Sequence, residues 1–211
     1  LKWIDDAMTL WRKRGMANWP NGNYEPLPEG RVDIGVDVAR FGHDASVIYE
    51  RIGGRSIRKQ EHRKLDGPAL GAKVIERLAF WKEQGRKVLA RIDAKGEGAS
   101  CFDFLRASDF KEDVIAMDAS AGAQRPLSYL NAKAEWWAQM AALLNPDVEG
   151  GPADLVDDRH LREQLAVHRW SYSKSFGPRA GAKKVQSKDE VKEELGRSPD
   201  DADACVNAFA V

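Results

Sequence analysis

Apolar residues recur along the chain with two different periods, and these periods divide it into strands and helices. Between Arg31 and Val38, valine and isoleucine alternate with aspartate and glycine, which is the period of a strand. Two further strands are predicted at 46–51 and 56–64, and Gly53-Gly54 between them is a strong hairpin signal. Shorter apolar runs predict a fourth strand at 86–93 and a fifth at 114–117.

Helical spacing of apolar residues predicts a first helix from Leu1 to Trp19, with Met8 and Trp11 on its buried stripe. The Pro- and Gly-rich stretch from Pro20 to Gly30 predicts a linker. We therefore expect an N-terminal helix and linker over residues 1–30 and the main domain over 31–211. Further helices are predicted at 68–84, 100–107, 131–144, 158–166, 187–195 and from 199 onward, with a short strand at 167–172.

Three hairpin-connected strands followed by alternating helices and strands indicate an α/β fold, a mixed central sheet flanked by helices. The 211 residues, of which 43% are hydrophobic and 31% charged, fit one globular domain with a sizeable core. No apolar run reaches the roughly 20 residues of a membrane helix, so we expect no membrane partner. The formal net charge of zero does not exclude a nucleic-acid binder, because an acidic metal site and a basic track cancel in the total.

Two aspartates end predicted strands. Asp37 lies at the end of the first strand and Asp93 at the end of the fourth. The element order matches the RNase H-like arrangement, in which these two strands are parallel neighbours, so both carboxylates would face one crevice. Paired carboxylates repel each other unless a cation such as Mg²⁺ or Mn²⁺ lies between them. The alternative is that each aspartate only ends a strand and caps a turn.

A third acidic group follows Ser198 and Pro199. With Ser198 as N-cap, Asp201 has capping-box spacing and a structural reason to be acidic. Asp200 and Asp203 share a helix face with Asn207, and the rest of that helix is apolar. This polar stripe faces either solvent or the metal crevice, and the pattern alone favours solvent.

A basic segment precedes these last helices. It contains no acid and five basic residues: Lys174, Arg179, Lys183, Lys184 and Lys188. Its glycines and proline predict a loop or loose hairpin. Because phosphate contacts come from Lys and Arg, we expect the segment to track a DNA backbone beside the cleft. The alternative is a solvated connector.

Four segments carry a resemblance to the large terminases of tailed phages. GVDVARFGHDASVIYER resembles the first nuclease motif of that family, and RIDAKGEGA is similar to the second. YLNAKAEWWAQM resembles the family's helix with Asn, a basic residue and aromatics. SKDEVKEELGRSPDDADACVNAFA resembles the C-terminal signature, in which an acid follows Ser-Pro. The four occur in the family's order, so the chain resembles a terminase nuclease domain, whose fold is RNase H-like.

The resemblance implies that Asp37, Asp93 and Asp200 are the catalytic, metal-binding carboxylates, with Asp203 as a fourth candidate ligand and Asp44 in support. It also implies two divalent cations, Mg²⁺ or Mn²⁺, and two-metal phosphodiester hydrolysis. The family requires one acid after Ser-Pro, whereas this chain offers three, so the third ligand stays open among Asp200, Asp201 and Asp203.

The implied substrate is double-stranded concatemeric phage DNA, cut at the start and end of packaging. The implied partners are the terminase ATPase motor domain, the small terminase subunit and the portal, and the place is the host cytoplasm at the procapsid portal. No Walker phosphate loop occurs in the sequence, so we expect the motor to be absent from this chain. Two alternatives stay open: another RNase H-like nuclease of resolvase or transposase type, and a catalytically silent DNA or portal docking domain.

Overall fold

The computed structural model describes residues 1–39, 44–147, 152–174 and 179–210. Phe41, Gly42 and His43, between the first two predicted strands, where the sequence predicts a turn, lie outside the described residues, as do Gly177 and Pro178 of the basic segment. Among the described residues, no helix is both long and apolar enough to cross a membrane.

A five-stranded mixed sheet forms the centre, in the order β3-β2-β1-β4-β5. β1, β2 and β3 pair antiparallel, whereas β1 with β4 and β4 with β5 pair parallel. The strands are β1 (Val32–Asp37), β2 (Ser46–Ile52), β3 (Arg55–His62), β4 (Val88–Asp93) and β5 (Val114–Met117). The predicted mixed sheet is confirmed, and so is the parallel contact between the strands that end in Asp37 and Asp93.

Seven α-helices surround the sheet within the described residues. They are α1 (Lys2–Lys13), α2 (Gly67–Glu83), α3 (Gly98–Arg106), α4 (Ala132–Leu143), α5 (Arg159–Val167), α6 (Lys188–Leu195) and α7 (Asp200–Phe209). Side-chain caps explain several of the starts, because Asp66, Asn131, Asp158 and Ser187 each accept a first-turn backbone N–H. Ser187 and Glu190 form a full capping box at α6.

The first helix is shorter than the pattern predicts. It ends at Lys13, and Gly15 follows with a φ of 70°, a left-handed conformation that glycine adopts at low cost and that stops the helix. A single 3₁₀ turn then spans Met16–Asn18. Residues 1–30 nevertheless pack on the sheet domain: Trp11 is buried, and its indole N–H donates to the Ser56 carbonyl at 3.0 Å.

The sequence of β1 predicts one polar face, yet all six residues of the strand are buried. Asp33, Gly35 and Asp37 share one face of β1, because alternate residues of a strand point to the same side. Helix α7 covers this face. A Cβ at Gly35 would overlap the Ala204 carbonyl oxygen and the Ala208 nitrogen, so only glycine allows α7 to lie this close.

The basic segment is a hairpin rather than an open loop where it is described. β6 (Trp170–Tyr172) pairs antiparallel with β7 (Lys183–Val185) in a separate two-stranded sheet. Tyr172 lies opposite Lys183 and is 65% exposed. The hairpin therefore presents aromatic and basic side chains to solvent.

Candidate metal centre

The first turn of α7 lies beside the end of β1. Two contacts hold the helix and the strand together: the Asn207 side chain donates to the Val36 carbonyl at 3.3 Å, and Gly35 packs against the backbone at Ala204. The acids at the start of α7 consequently reach the last residue of β1, Asp37. The polar stripe of α7 thus faces the crevice, and the interpretation that it faces solvent was wrong.

Three carboxylates converge on one ammonium group. The Nζ of Lys188, the first residue of α6, lies 3.2 Å from both carboxylate oxygens of Asp37. It also lies 3.4 Å from an oxygen of Asp200 and 3.3 Å from one of Asp203. These residues come from distant parts of the sequence, and the ammonium stands where their combined negative charge attracts a cation.

Burial and charge act against each other in this cluster. Burial raises the pKa of Asp37 well above its usual range, Lys188 opposes the shift, and the neighbouring carboxylates of Asp203, Asp200 and Asp93 add to it. Burial also tends to raise the pKa of Asp203, but the charges of Lys188 and Lys133 outweigh it and leave this pKa below its usual range. Burial lowers the pKa of Lys188, and the acids more than reverse that effect, so the ammonium stays charged.

Asp93 ends β4 on the same side of the sheet. It lines one cleft with Asp203 and Lys188. Its carboxylate accepts the Lys95 backbone N–H at 3.2 Å, and burial raises its pKa. A Cβ at Gly98 would collide with the Asp93 carbonyl oxygen, so the second glycine of this motif lets α3 begin directly against the strand end.

These donors fit a divalent cation. Carboxylate oxygens are the hard ligands that Mg²⁺ and Mn²⁺ prefer, and one ammonium only partly balances the acids around it. The distances from the Lys188 Nζ to the acid oxygens are 3.2–3.4 Å, which is longer than the roughly 2.0–2.1 Å of a Mg–O bond. The carboxylates would therefore have to close in around a metal after Lys188 leaves.

The role predicted for Asp201 was wrong. The N-cap of α7 is Pro199, no side chain caps the helix, and the Asp201 carboxylate points elsewhere. One oxygen accepts from the Lys59 ammonium at 2.8 Å and the other from the Gln164 amide at 2.9 Å. Asp201 is thus a buried ion-pair partner, because a tertiary contact replaces the local cap.

A second group of potential ligands surrounds this ion pair. Glu61, His160 and Asp201 bring ligand atoms within 4.8 Å of one another. Lys59 already binds Glu61 and Asp201, at 2.9 and 2.8 Å. The ion pairs with Lys59 therefore explain why these two acids lie close together. Asp44 likewise pairs with Lys192 at 2.8 Å, at the edge of the main cluster.

The five predicted DNA-binding residues separate into two environments. Lys174, Arg179 and Lys183 are exposed, and Lys184 is half-buried on β7. Lys188 differs from them because its ammonium binds the carboxylates of the acid cluster. Its role in DNA binding stays a prediction, and in this conformation the group is committed to the acids.

Lys133, the basic residue of the motif YLNAKAEWWAQM, stands beside the cluster. Its Nζ lies 3.8 Å from an Asp203 oxygen. On α4 it shares a helix face with Trp137 and Met140, both buried. The signal in the sequence is a basic residue on the same helix face as these buried apolar positions.

Structural comparison places this arrangement among known folds. The large terminase nuclease domain of bacterial virus Sf6 matches with a TM-score of 0.63 at 18% identity, over 99% of this chain and 96% of that one. A mutant of that domain with calcium matches with a TM-score of 0.65. The nuclease of thermophilic phage G20c with bound magnesium matches with a TM-score of 0.59 at 15% identity, over 86% of this chain and 82% of that one.

No protein-family model and no curated protein matches the sequence. The shared architecture nevertheless defines the class: the chain has the RNase H-like fold. Its structural neighbours are nuclease domains of large terminases, so the resemblance predicted from the four motifs is confirmed at the level of the fold.

Replacing Lys188 with Ala should strengthen divalent-cation binding, because the ammonium occupies the place among the carboxylates. We expect the Kd for Mn²⁺ to fall about tenfold, measured by calorimetry. In EDTA the variant should melt at a lower temperature than wild type, since the acids then repel one another, and added Mn²⁺ should restore it. Lys184→Ala is the matched control. An unchanged or weaker Mn²⁺ affinity in Lys188→Ala would contradict this account of the cluster.

Asp200 and Asp201 should separate into a ligand and an ion-pair partner. Asp201→Ala leaves the Gln164 amide without its acceptor and Lys59 with one partner fewer, so it should cost about 1–3 kcal/mol in urea unfolding. Its Mn²⁺ affinity should stay near wild type. Asp200→Ala should weaken Mn²⁺ binding with a smaller loss of stability. The reverse pattern would exchange the two assignments.

Proposed function

We propose that this chain is a metal-dependent endonuclease that cuts double-stranded DNA during the packaging of a phage genome. One observation carries the proposal: Asp37, Asp200 and Asp203 converge on a single cationic position. The fold supports it, because the matched terminase nuclease domains have been crystallised with magnesium, calcium or manganese. The position also fits, because open α/β sheets bind ligands outside the carboxyl ends of their strands.

Asp37, Asp93 and Asp200 are the proposed catalytic ligands, and Asp203 is the proposed fourth. Two divalent cations, Mg²⁺ or Mn²⁺, would supply an activated water and stabilise the leaving 3′-oxygen. The side chains prepare the site for them in two ways. Burial disfavours the charged form of Asp37, which a metal ligand must adopt, and Lys188 must withdraw from the acids. Both changes are promoted by the same incoming positive charge.

The basic hairpin, which comprises β6, β7 and the described residues between them, is the proposed track for the DNA backbone. Lys174, Arg179 and Lys183 are exposed and have no ion pair with a carboxylate among the described residues, so their charges can meet phosphates. Lys184 lies on the same strand, and the segment runs directly into Lys188 and the metal site. DNA held on the hairpin would therefore lie beside the cleft.

The biological setting extends the same proposal. The substrate is concatemeric phage DNA in the host cytoplasm at the procapsid portal. The partners are the terminase ATPase motor domain, the small terminase subunit and the portal. If the protein cuts plain duplex DNA in preference to a four-way junction, this role is supported, whereas the opposite preference would indicate a resolvase.

The first test is plasmid nicking in Mn²⁺ by wild type and by Asp37→Asn. The amide keeps the shape but removes the ligand charge, so the rate should fall by at least about a thousandfold. The fold should survive, since burial already disfavours the charged form of Asp37. Asp109→Asn, at an exposed position, is the control and should cut like wild type. EDTA should stop all cleavage. Wild-type protein that binds DNA without cutting it would instead indicate a docking module.

The second test concerns Lys183 and Lys184. Replacing both with Ala should weaken duplex binding and reduce the slope of log K against log salt by about 0.9 for each lost phosphate contact. Mn²⁺ affinity should not change. Lys73→Ala on the exposed face of α2 provides the control. If the salt slope of the double variant equals that of wild type, the hairpin is only a connector.

A further inference from the structure

A pocket of about 310 Å³ opens beside the acid cluster. One wall consists of the acids, through Asp93 and Asp203, and the opposite wall is the first half of α4, through Lys133 and Trp136. This volume is at the lower end for ligand sites, and it suits one small organic group rather than a base pair. The pocket is thus continuous with the proposed metal centre but is not filled by the metals themselves.

Lys133 lies on the wall of this pocket, where its ion pair with Asp203 is long. Its side chain is only 13% exposed, yet the nearest acidic oxygen among the described residues, on Asp203, is 3.8 Å away. That distance is too long for a hydrogen bond, and Asp203 is already bound more closely by Lys188 at 3.3 Å. Among the described residues the Lys133 ammonium thus makes no short ion pair, and it lines the open pocket. The position therefore suits an anionic ligand that enters the pocket.

The start of α4 holds Lys133 in a defined place. The Asn131 side chain caps the helix by accepting the Ala134 N–H at 3.0 Å. The Lys133 N–H donates to the Ala119 carbonyl at 3.1 Å, which ties the first turn to the loop after β5. A cation on a capped and tethered helix turn is preorganised to orient a ligand.

We infer that Lys133 binds a non-bridging phosphate oxygen of the DNA strand being cut, and that the pocket takes the deoxynucleoside attached to that phosphate. The inference rests on the proposed nuclease function. An ammonium and a phosphate oxygen form a charge-assisted hydrogen bond, which is shorter and stronger than the 3.8 Å contact between Lys133 and Asp203. The half-buried ring of Trp136 offers a face against which a sugar or base packs. The ligand class is therefore a deoxynucleotide within a strand.

Lys133 differs in this respect from the other lysines near the cleft. Lys188 sits among the carboxylates and competes with metal, whereas Lys184 lies on the basic hairpin. A metal that replaces Lys188 would leave Lys133 on the pocket wall with Asp203 engaged by the metal. Lys133 should then act on orientation of the bound strand, and not on metal affinity or on overall grip of the duplex.

The test measures three quantities for Lys133→Met, Lys133→Arg and the control Lys73→Met. They are the single-turnover nicking rate at saturating DNA and Mn²⁺, the Kd for Mn²⁺, and the Kd for duplex DNA in Ca²⁺. Lys133→Met should lower the rate by about a hundredfold and leave both Kd values within about threefold of wild type. Lys133→Arg should restore part of the rate, because it restores the charge. An unchanged rate, or a lost Mn²⁺ affinity, would overturn the inference.

A second measurement does not depend on whether the variants fold. Wild-type protein is crystallised with thymidine 3′,5′-bisphosphate and Ca²⁺. One phosphate should lie within hydrogen-bond distance of the Lys133 ammonium, with the nucleoside in the pocket. A nucleotide bound elsewhere would overturn the inference. Failure of wild-type protein to nick DNA would count against the proposed function instead, and the crystal would still decide whether the pocket binds a nucleotide.

Discussion

The close approach of α7 to β1 is the constraint on which the site depends. Gly35 leaves no side chain between the strand and the helix, and the Ala204 and Ala208 backbone fills that space. The helix is consequently held at a fixed height above the strand, and its first turn stands beside the strand end. Asp200 and Asp203 reach Asp37 because of this contact, although more than 160 residues separate them in sequence. A larger residue at Gly35 would lift the helix and spread the acids.

Because these acids lie so close together, the metal-free protein needs a cation among them to offset their repulsion. Buried carboxylates repel one another, and burial makes the charged form of Asp37 costly. Lys188 offsets both effects by placing its ammonium among the acids, where a divalent cation would compete with it. The chain's zero net charge conceals this local imbalance, since the basic residues that balance the acids lie largely on the surface.

The sequence predicted the parts of the site that depend on local period, and it failed where distant contacts decide. The strands that end in Asp37 and Asp93 follow from alternating and apolar runs, and their parallel contact follows from element order. The cap assigned to Asp201 failed because Lys59 and Gln164, remote in sequence, bind its carboxylate. The position of Lys188 among the acids was equally hidden, since a lysine after a basic loop has the same local pattern as a phosphate contact.

Depth below the surface divides the basic residues near the cleft into three kinds. Lys183 is exposed, and its effect on DNA should be screened by salt, as is usual for solvated charges. Lys188 lies among buried acids, where salt screens little and a divalent cation is the effective competitor. Lys133 lies between these extremes, because its side chain is mostly buried and its ion pair with Asp203 is long, at 3.8 Å. A phosphate that enters the pocket would meet an ammonium held on a capped helix turn, and such a contact fixes the orientation of the bound strand.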